Sequence, residues 1–482
     1  MTEHLDVLIV GAGISGISAA YHLQERCPNK TYAILENRAQ LGGTWDLFRY
    51  PGIRSDSDMY TLGFAFKPWT QAKAIADGPS IIRYLQETVC EFGIDQHIRY
   101  QQQVSKASWS SETQLWTVEV IREGQAEPIL MTCNFLLSCS GYYNYEAGYT
   151  PDFEGAEQFK GQVVHPQFWP EKLDYKDKKI VVIGSGATAV TLLPSLAEQA
   201  GHVTMLQRSP TYIASRPSVD PFIKFLRRGL SERFIHPIAR WKNILHGRYL
   251  FWYLKKYPLK AKDYLINEVR SAIGEHCDVD THFTPSYKPW DQRLCLVPDG
   301  DLFEVIKQGK ASVVTDHIDC FTETGLKLKS GKTLDADIIV TATGLDMRIG
   351  GGIEISIDEE VVKQNDLWTY KGMMLSDIPN HAFAMGYSNA SWTLKIDLTC
   401  EYVCRLLNYM DKNNFKQCTP KTQGAALEEE PLMNLNSGYI ERAKEQLPKQ
   451  ANTKPWKLNH NYLLDKLILG YSKVSDSTMV FK

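Results

Sequence analysis

Short apolar, β-branched runs alternate with stretches in which apolar residues recur every three or four positions, and this rhythm holds over most of the 482 residues. Strand-length runs followed by helical patterns mark parallel α/β sheets. Asp6–Val10 (DVLIV) predicts a buried strand, a helix is predicted from about Ser15 through Tyr21 and Leu23, and Thr31–Leu35 predicts a second strand. The same order recurs later. Ile180–Ile183 predicts a strand, Val190, Leu192, Leu193 and Leu196 lie on one helix, and His202–Leu206 predicts another strand. Asn134–Gly141 (NFLLSCSG) and Ala336–Gly344 (ADIIVTATG) read as strands returning to these sheets, or as plain buried strands and turns. Their small terminal residues would let backbone pass close to a ligand.

Glycines fill the first turn of both units. Gly11, Gly13 and Gly16 complete G-x-G-x-x-G after the first strand, and Gly184, Gly186 and Ala189 complete G-x-G-x-x-A after the strand that begins at Lys179. The first glycine permits a tight turn, and the second admits close approach of a pyrophosphate. The third position packs the helix, whose amide-rich N-terminus faces the phosphates. The two units differ just beyond their second strands. Glu36 lies 25 residues after Gly11, where a carboxylate accepts from a ribose 2′-OH and repels a 2′-phosphate. Arg208 lies 24 residues after Gly184, and a guanidinium there suits a 2′-phosphate; its alternative is a solvated surface arginine. One site thus suits FAD or NAD and the other NADPH. The predicted fold is α/β, with two Rossmann-like dinucleotide-binding domains. Two such sites in one chain suggest a relay in which a nicotinamide reduces a bound flavin. The first 85 residues hold only Cys27, so a dithiol acceptor has no pair to use and molecular oxygen is the simplest acceptor.

Composition narrows this little. Hydrophobic residues at 43%, charged residues at 23% and a net charge of −3 fit a globular chain and give no sign of nucleic acid. No apolar run reaches the roughly 18 residues of a membrane span, and no basic region precedes the first apolar stretch as a signal peptide requires. The ten cysteines show no C-x-x-C pair and no zinc spacing, so no metal is expected and reduced thiols in a cytoplasmic setting are. Charge placement is uneven. Pro221–Lys262 carries eleven Lys or Arg against the single carboxylate Glu232, a local +10 that leaves −13 elsewhere. With its Phe, Leu, Trp and Tyr this stretch reads as amphipathic helix, either a solvated face or a contact with an anionic bilayer.

Two further motifs carry a family resemblance. Phe159, Gly161, His165 and Trp169 spell F-x-G-x-x-x-H-x-x-x-W, and Gly42-Gly43-Thr44-Trp45, Tyr50-Pro51-Gly52 and Asp56 spell G-G-x-W-x4-Y-P-G-x3-D. Both resemble patterns of the class B flavoprotein monooxygenases, with Trp169 in the Baeyer–Villiger form. The stretch from Asn389 (NASWTLKIDL) looks most like the subgroup that also oxidises thioamides and linear or aryl ketones. The resemblance implies that NADPH reduces FAD, that a C4a-peroxyflavin attacks a ketone, and that an ester or lactone results, with S-oxygenation as an added activity. An N- or S-oxygenating relative is the alternative, and Trp169 weighs against it. A flavin disulfide reductase or NADPH oxidase is a further alternative, the missing dithiol opposing the former, and a non-catalytic nucleotide-sensing protein at a membrane surface would have no use for Asp56 and Arg293.

The resemblance assigns Arg293 and Asp56 as the catalytic pair, a cation steadying developing negative charge and its carboxylate partner. It extends the cofactor-binding candidates to Gly43, Thr44, Trp45, Asp56, Tyr60 and Val104. Around the second unit it adds Ala187, Thr188, Ser209, Gln292, Thr343 and Gly344. Gln292 stands where many relatives carry Lys, so NADPH preference would rest on Arg208 and Ser209. Phe159, Gly161, His165 and Trp169 are expected to couple domain movement to turnover. Trp45 is expected at the cofactor; Trp392 and Leu394 are candidates for flavin or substrate contact, and Lys395 is expected to be solvated or ion-paired rather than catalytic. The expected domains are 1–145 (FAD, first part), 146–215 (linker and NADP, first part) and 216–289 (basic helices). They continue as 290–377 (NADP, second part) and 378–482 (FAD, second part).

Overall fold

The computed structural model describes residues 2–125, 127–292, 294–424, 426–433 and 437–482. The first sheet is built on β1 (Glu3–Val10), α1 (Ile14–Arg26) and β2 (Tyr32–Leu35). Four more strands complete its consecutive part: β3 (Ile98–Arg99), β4 (Gln102–Ser110), β5 (Leu115–Arg122) and β6 (Ile129–Ser138). β1 lies between β2 and β6, parallel to both, with Val10 opposite Leu35 and Ser138. β4, β5 and β6 form an antiparallel meander on which Trp109 and Trp116 pair across strands, ring centroids 5.6 Å apart. Later chain returns to this sheet, Glu354–Ile357 along β4 and His381–Phe383 along β6.

The second sheet contains β7 (Gln162–Val164), β8 (Lys179–Ile183), α2 (Ala187–Leu196) and β9 (His202–Gln207). Between its two halves run α3 (Glu232–Lys256) and α4 (Pro258–Ile273). β10 (Ala311–Thr315) and β11 (Ile338–Thr341) close it in the order β10-β9-β8-β11-β7, all parallel. Strands Ile180–Ile183 are wholly buried, as a parallel sheet covered on both faces requires. The basic stretch is broken into three helices rather than one, Pro221–Leu226, α3 and α4. Pro258 starts the last of them, its fixed φ and missing N–H suiting the first helical position.

α5 (Trp392–Lys412) packs along α1 beneath the first sheet, with α6 (Tyr462–Tyr471) against its other side. Ile17 and Leu23 of α1 are lost to solvent completely or nearly so, each contributing about 1.5–3 kcal/mol. The basic helices span both cores. Ile235 and Ala239 of α3 join the core of the first sheet, while Ile266, Val269 and Ile273 of α4 join that of the second. Arg240 fixes the first junction. It donates to the carbonyls of Tyr60 (3.0 Å) and Gly63 (2.8 Å) and to Asp397 Oδ2 of α5 (3.1 Å), both side chains being under a tenth exposed.

Candidate active site at two glycine cradles

Each cradle has a strand end, a glycine at positive φ and a returning strand pressed against it. Gly11 has φ +101°, and a Cβ added there would lie 2.7 Å from Cys139 O at the end of β6. A Cβ on Gly16 would lie 1.9 Å from Gly11 O, so this residue sets the contact of α1 with the turn. Gly184 repeats the arrangement at φ +139°, with Ala342 O 2.3 Å from its added Cβ. The two returning strands of the sequence reading are therefore β6 and β11, and each closes one cradle. Gly13 and Gly186 begin α1 and α2 from extended backbone, and nothing lies within 4 Å of an added Cβ on Gly186.

A cavity of about 310 Å³ opens over the first cradle. Glu36 lines it, its oxygens accepting from Ala12 N (2.8 Å) and Arg38 N (2.9 Å). Burial raises the Glu36 carboxyl above its ordinary range, and these two amides and Arg38 oppose the rise. A carboxylate has about four acceptor sites, so two remain for hydroxyls of a ligand. Gly11, Gly13, Gly43 and Thr44 line it as well. Arg38 and Arg49 both bind Asp46, at 2.7 and 2.6 Å, and so clamp the Gly42–Trp45 turn in place. Val104, Trp45, Asp56, Tyr142 and Trp392 line the same cavity. Trp392 Nε1 donates to Ser15 Oγ (2.9 Å), joining the start of α5 to the start of α1, and its ring lies 5.2 Å from that of Tyr142.

This lining suits a dinucleotide with an aromatic head: a carboxylate acceptor, the amides that open a helix and two indoles share one cavity. Two candidates lie elsewhere. Tyr60 is buried in the first core, and Leu394 packs with Ile244 and Tyr387. Lys395 is buried against Asp465 (2.9 Å), which also accepts from Tyr387 OH (2.8 Å).

The second cradle lies next to the first. Tyr50 and Gly52 press against α2, where a Cβ on Gly52 would lie 2.1 Å from Ser195 Oγ. Burial pushes the Tyr50 phenol up to about 12, the Thr188 hydroxyl opposing and Asp56 adding to the rise. Ala187 and Thr188 open α2 directly after Gly186. Arg208 and Ser209 follow β9 and are exposed, and Ser185 Oγ donates to Ser209 O (3.2 Å). Arg208 makes no ion pair or hydrogen bond among the described residues, in contrast to buried Gln207, which is spent on His282 O and Thr315. Thr343 Oγ1 donates to Tyr149 O (2.6 Å), and Gly344 follows at φ +115°. Gln292 is half-buried and bridges to Pro289, while Arg293 lies outside the described residues.

The fingerprint residues run along β7 at the edge of the second sheet, away from the cavity wall. Phe159 packs with Phe321, and a Cβ on Gly161 would meet Asp337 O at 2.4 Å. His165 Nδ1 accepts from Gln167 N (3.2 Å), and its ring leaves no room for a Cβ on Gly148. Burial lowers His165 below the usual imidazole range, the Gly344 and Tyr149 backbone opposing, so the ring is neutral at neutral pH. Trp169 packs on the second core. The sequence reading missed Arg240–Asp397, Ser15–Trp392 and Tyr142. Arg240 and Asp397 are 157 positions apart and Ser15 and Trp392 are 377 apart, beyond the reach of any local pattern.

The fold and the paired cradles define a two-dinucleotide flavoprotein. The profile of the flavin-binding monooxygenase-like family matches residues 74–387, and that of an NAD(P)-binding Rossmann-like domain matches residues 9–77. The chain belongs to the flavin-binding monooxygenase-like family. It is 54% identical over 482 residues to the FAD-containing monooxygenase EthA of Mycobacterium tuberculosis (strain H37Rv), covering all of this chain and 98% of that one. It is 48% identical over 483 residues to the probable FAD-binding monooxygenase AlmA of Acinetobacter baylyi, covering 100% and 97%. Among solved structures, an oxidized steroid monooxygenase bound to NADP shares the fold, with TM-score 0.79 and 23% identity over 99% of each chain.

Proposed function

We propose that the chain is an FAD-containing, NADPH- and O2-dependent Baeyer–Villiger monooxygenase that inserts one oxygen beside a ketone carbonyl to give an ester or lactone, with sulfides as a second substrate class. The observation that carries this reading is one cavity lined by Glu36, the glycine turn, Trp45, Asp56 and Trp392, set against a second cradle followed by an exposed arginine. Bound there, FAD would supply oxygen activation and NADPH the hydride that reduces it.

The chain's own residues do the rest. Glu36 accepts from ribose hydroxyls, and the amides at the start of α1 face the pyrophosphate. Trp45 and Trp392 flank the ring end. Arg208 and Ser209 take the 2′-phosphate, with Gln292 and Thr343–Gly344 beside the same cradle. By the family resemblance the charge of Arg293 would steady negative charge developing on oxygen, with Asp56 as its expected carboxylate partner. His165, neutral and held in the linker rather than in the cavity, positions the two domains against each other. The FAD domain takes 1–145 and the chain from about 353 onward, earlier than the expected 378, because Glu354–Ile357 as well as His381–Phe383 pair with the first sheet. The NADP domain takes 146–215 and 290 to about 345, interrupted by 216–289, since the second sheet ends with Ile338–Thr341. Operation at an anionic membrane surface belongs to the same reading, supported by the +10 charge of Pro221–Lys262.

The test is direct. The purified protein should be yellow, should oxidise NADPH faster when a linear or aryl ketone is added, and should yield ester by mass spectrometry. A colourless protein that cannot be reconstituted with FAD refutes the reading. Oxygenation of nitrogen or sulfur without any ester selects the alternative member of the family.

A further inference from the structure

The outer face of α3 is apolar where a surface helix is normally polar. Phe234, Ile238, Trp241, Leu245, Tyr249 and Trp252 follow one another at three- or four-residue steps, and all are exposed, Phe234 and Tyr249 by 61% and 60%. At 1.5 Å per residue the stripe is about 27 Å long. It is concentrated, not incidental: twelve of the nineteen exposed large hydrophobic residues among the described residues fall between Phe222 and Tyr264. α6 widens it. Lys466 Nζ lies 4.5 Å over the Trp241 ring, Tyr462 is 6.2 Å from it, and Leu467 and Tyr471 of α6 are exposed beyond. The opposite face of α3 is already used, by Ile235, Ala239, Arg240 and Ile244 in the interior. Isolated globular surfaces rarely carry a contiguous apolar area of this kind without a partner.

The charges around the stripe say which partner. Arg227, Arg240, Lys242 and Lys255 are spent on carboxylates within the chain. Lys224, Arg228, Arg233, Lys256 and Lys260 are exposed with no carboxylate partner among the described residues, and Lys256 lies 4.7 Å over the Trp252 ring. The only carboxylate between 221 and 262, Glu232, is held by Arg227. A second copy of the chain would bring the same basic flanks face to face, which like-charge repulsion disfavours. An anionic lipid surface matches both features, taking the basic flanks at the headgroups and the aromatic stripe below them. No helix among the described residues is long and apolar enough to cross a membrane, so the helix lies along the surface.

We propose that the exposed stripe of α3, with Leu467 and Tyr471 of α6, inserts into the headgroup–acyl boundary of an anionic bilayer. This rests on the membrane-surface reading above and goes beyond it, since apolar insertion rather than charge alone holds the protein there. The test uses the full flavin-loaded chain and vesicles of phosphatidylcholine with or without phosphatidylglycerol. The wild type should co-sediment with the anionic vesicles, and a measurable part should stay bound at about 1 M salt, where charges are screened beyond roughly 3 Å. Acyl chains carrying bromine should quench part of its tryptophan fluorescence. The variant Trp241→Ser/Leu245→Ser/Trp252→Ser should partition at least tenfold more weakly at either salt, lose that quenching, and keep its NADPH oxidation with a water-soluble ketone. Complete release of the wild type by salt, with the triple variant binding like wild type, overturns insertion and leaves the charge-only reading standing. No binding at low salt overturns both. A wild-type dimer that the triple substitution dissolves, with no lipid binding, assigns the stripe to a second copy and overturns the proposal.

Discussion

Replacing Arg240 with methionine should destabilise the protein by about 3–5 kcal/mol, because it strands a buried carboxylate. Arg240 and Asp397 are 8% and 9% exposed, and besides Asp397 the guanidinium satisfies the carbonyls of Tyr60 and Gly63. Burial alone would raise the Asp397 carboxyl, but His22, the Arg240 guanidinium and the Ser18 hydroxyl together hold it below the ordinary aspartate value of 3.8. Methionine keeps the aliphatic stem, so lost packing contributes little to the expected change. Urea unfolding followed by tryptophan fluorescence measures it as a shift in midpoint at constant slope. The double variant Arg240→Met/Asp397→Leu should recover part of the loss, with a coupling energy of about 2–3 kcal/mol. The pH dependence has a definite sign. A carboxyl depressed by folding contributes stability that is present above pH 3.8 and lost as pH falls through the lower folded value. In Arg240→Met the same carboxyl gains a reason to protonate, so the gap to wild type should narrow from about pH 7 to about pH 4. A single-variant loss below about 1 kcal/mol, or no coupling in the double variant, would refute the view that this pair locks the basic helices to the first sheet.

Arg208→Ala should raise the NADPH KM roughly ten- to a hundredfold, the worth of one charged hydrogen bond, and leave the NADH KM little changed; an equal rise for both removes the 2′-phosphate assignment. Gly16→Ala should yield chain without bound flavin, because its Cβ would lie 1.9 Å from Gly11 O, and a stoichiometrically yellow variant would contradict that. His165→Ala should lower kcat while flavin stays bound and the pH profile keeps its shape; wild-type turnover would end the coupling role, and a shifted profile would point to proton transfer instead.

Local chemistry carries far enough to read both dinucleotide cradles from the chain. The glycine turn, the strand before it and the charge after the second strand are set within about 36 residues by sterics and electrostatics that need no distant partner. β1, β2, β8 and β9 accordingly stand within a few residues of where their apolar runs place them. The family motifs likewise name Gly43, Thr44, Trp45 and Asp56, which meet in one cavity. Tyr60 and Leu394 show the limit of such a reading: a residue close in sequence to a site residue faces the core when its helix turns it there.

What tertiary structure alone decides is which distant groups complete each site and which charges remain free. Trp392 reaches Ser15 across 377 positions, and Arg240 reaches Asp397 across 157. The basic stretch shows the point most clearly. Its sequence fixes eleven positive charges but says nothing of which are spent on internal carboxylates. Only the packing of α3 against α5 buries Arg240, leaves Lys224 and Lys256 outside, and turns a row of aromatic residues to the solvent. The physical reason is one of range: backbone sterics and short-period patterns act within a few residues, whereas burial and ion pairing depend on surfaces that exist only once the chain has folded.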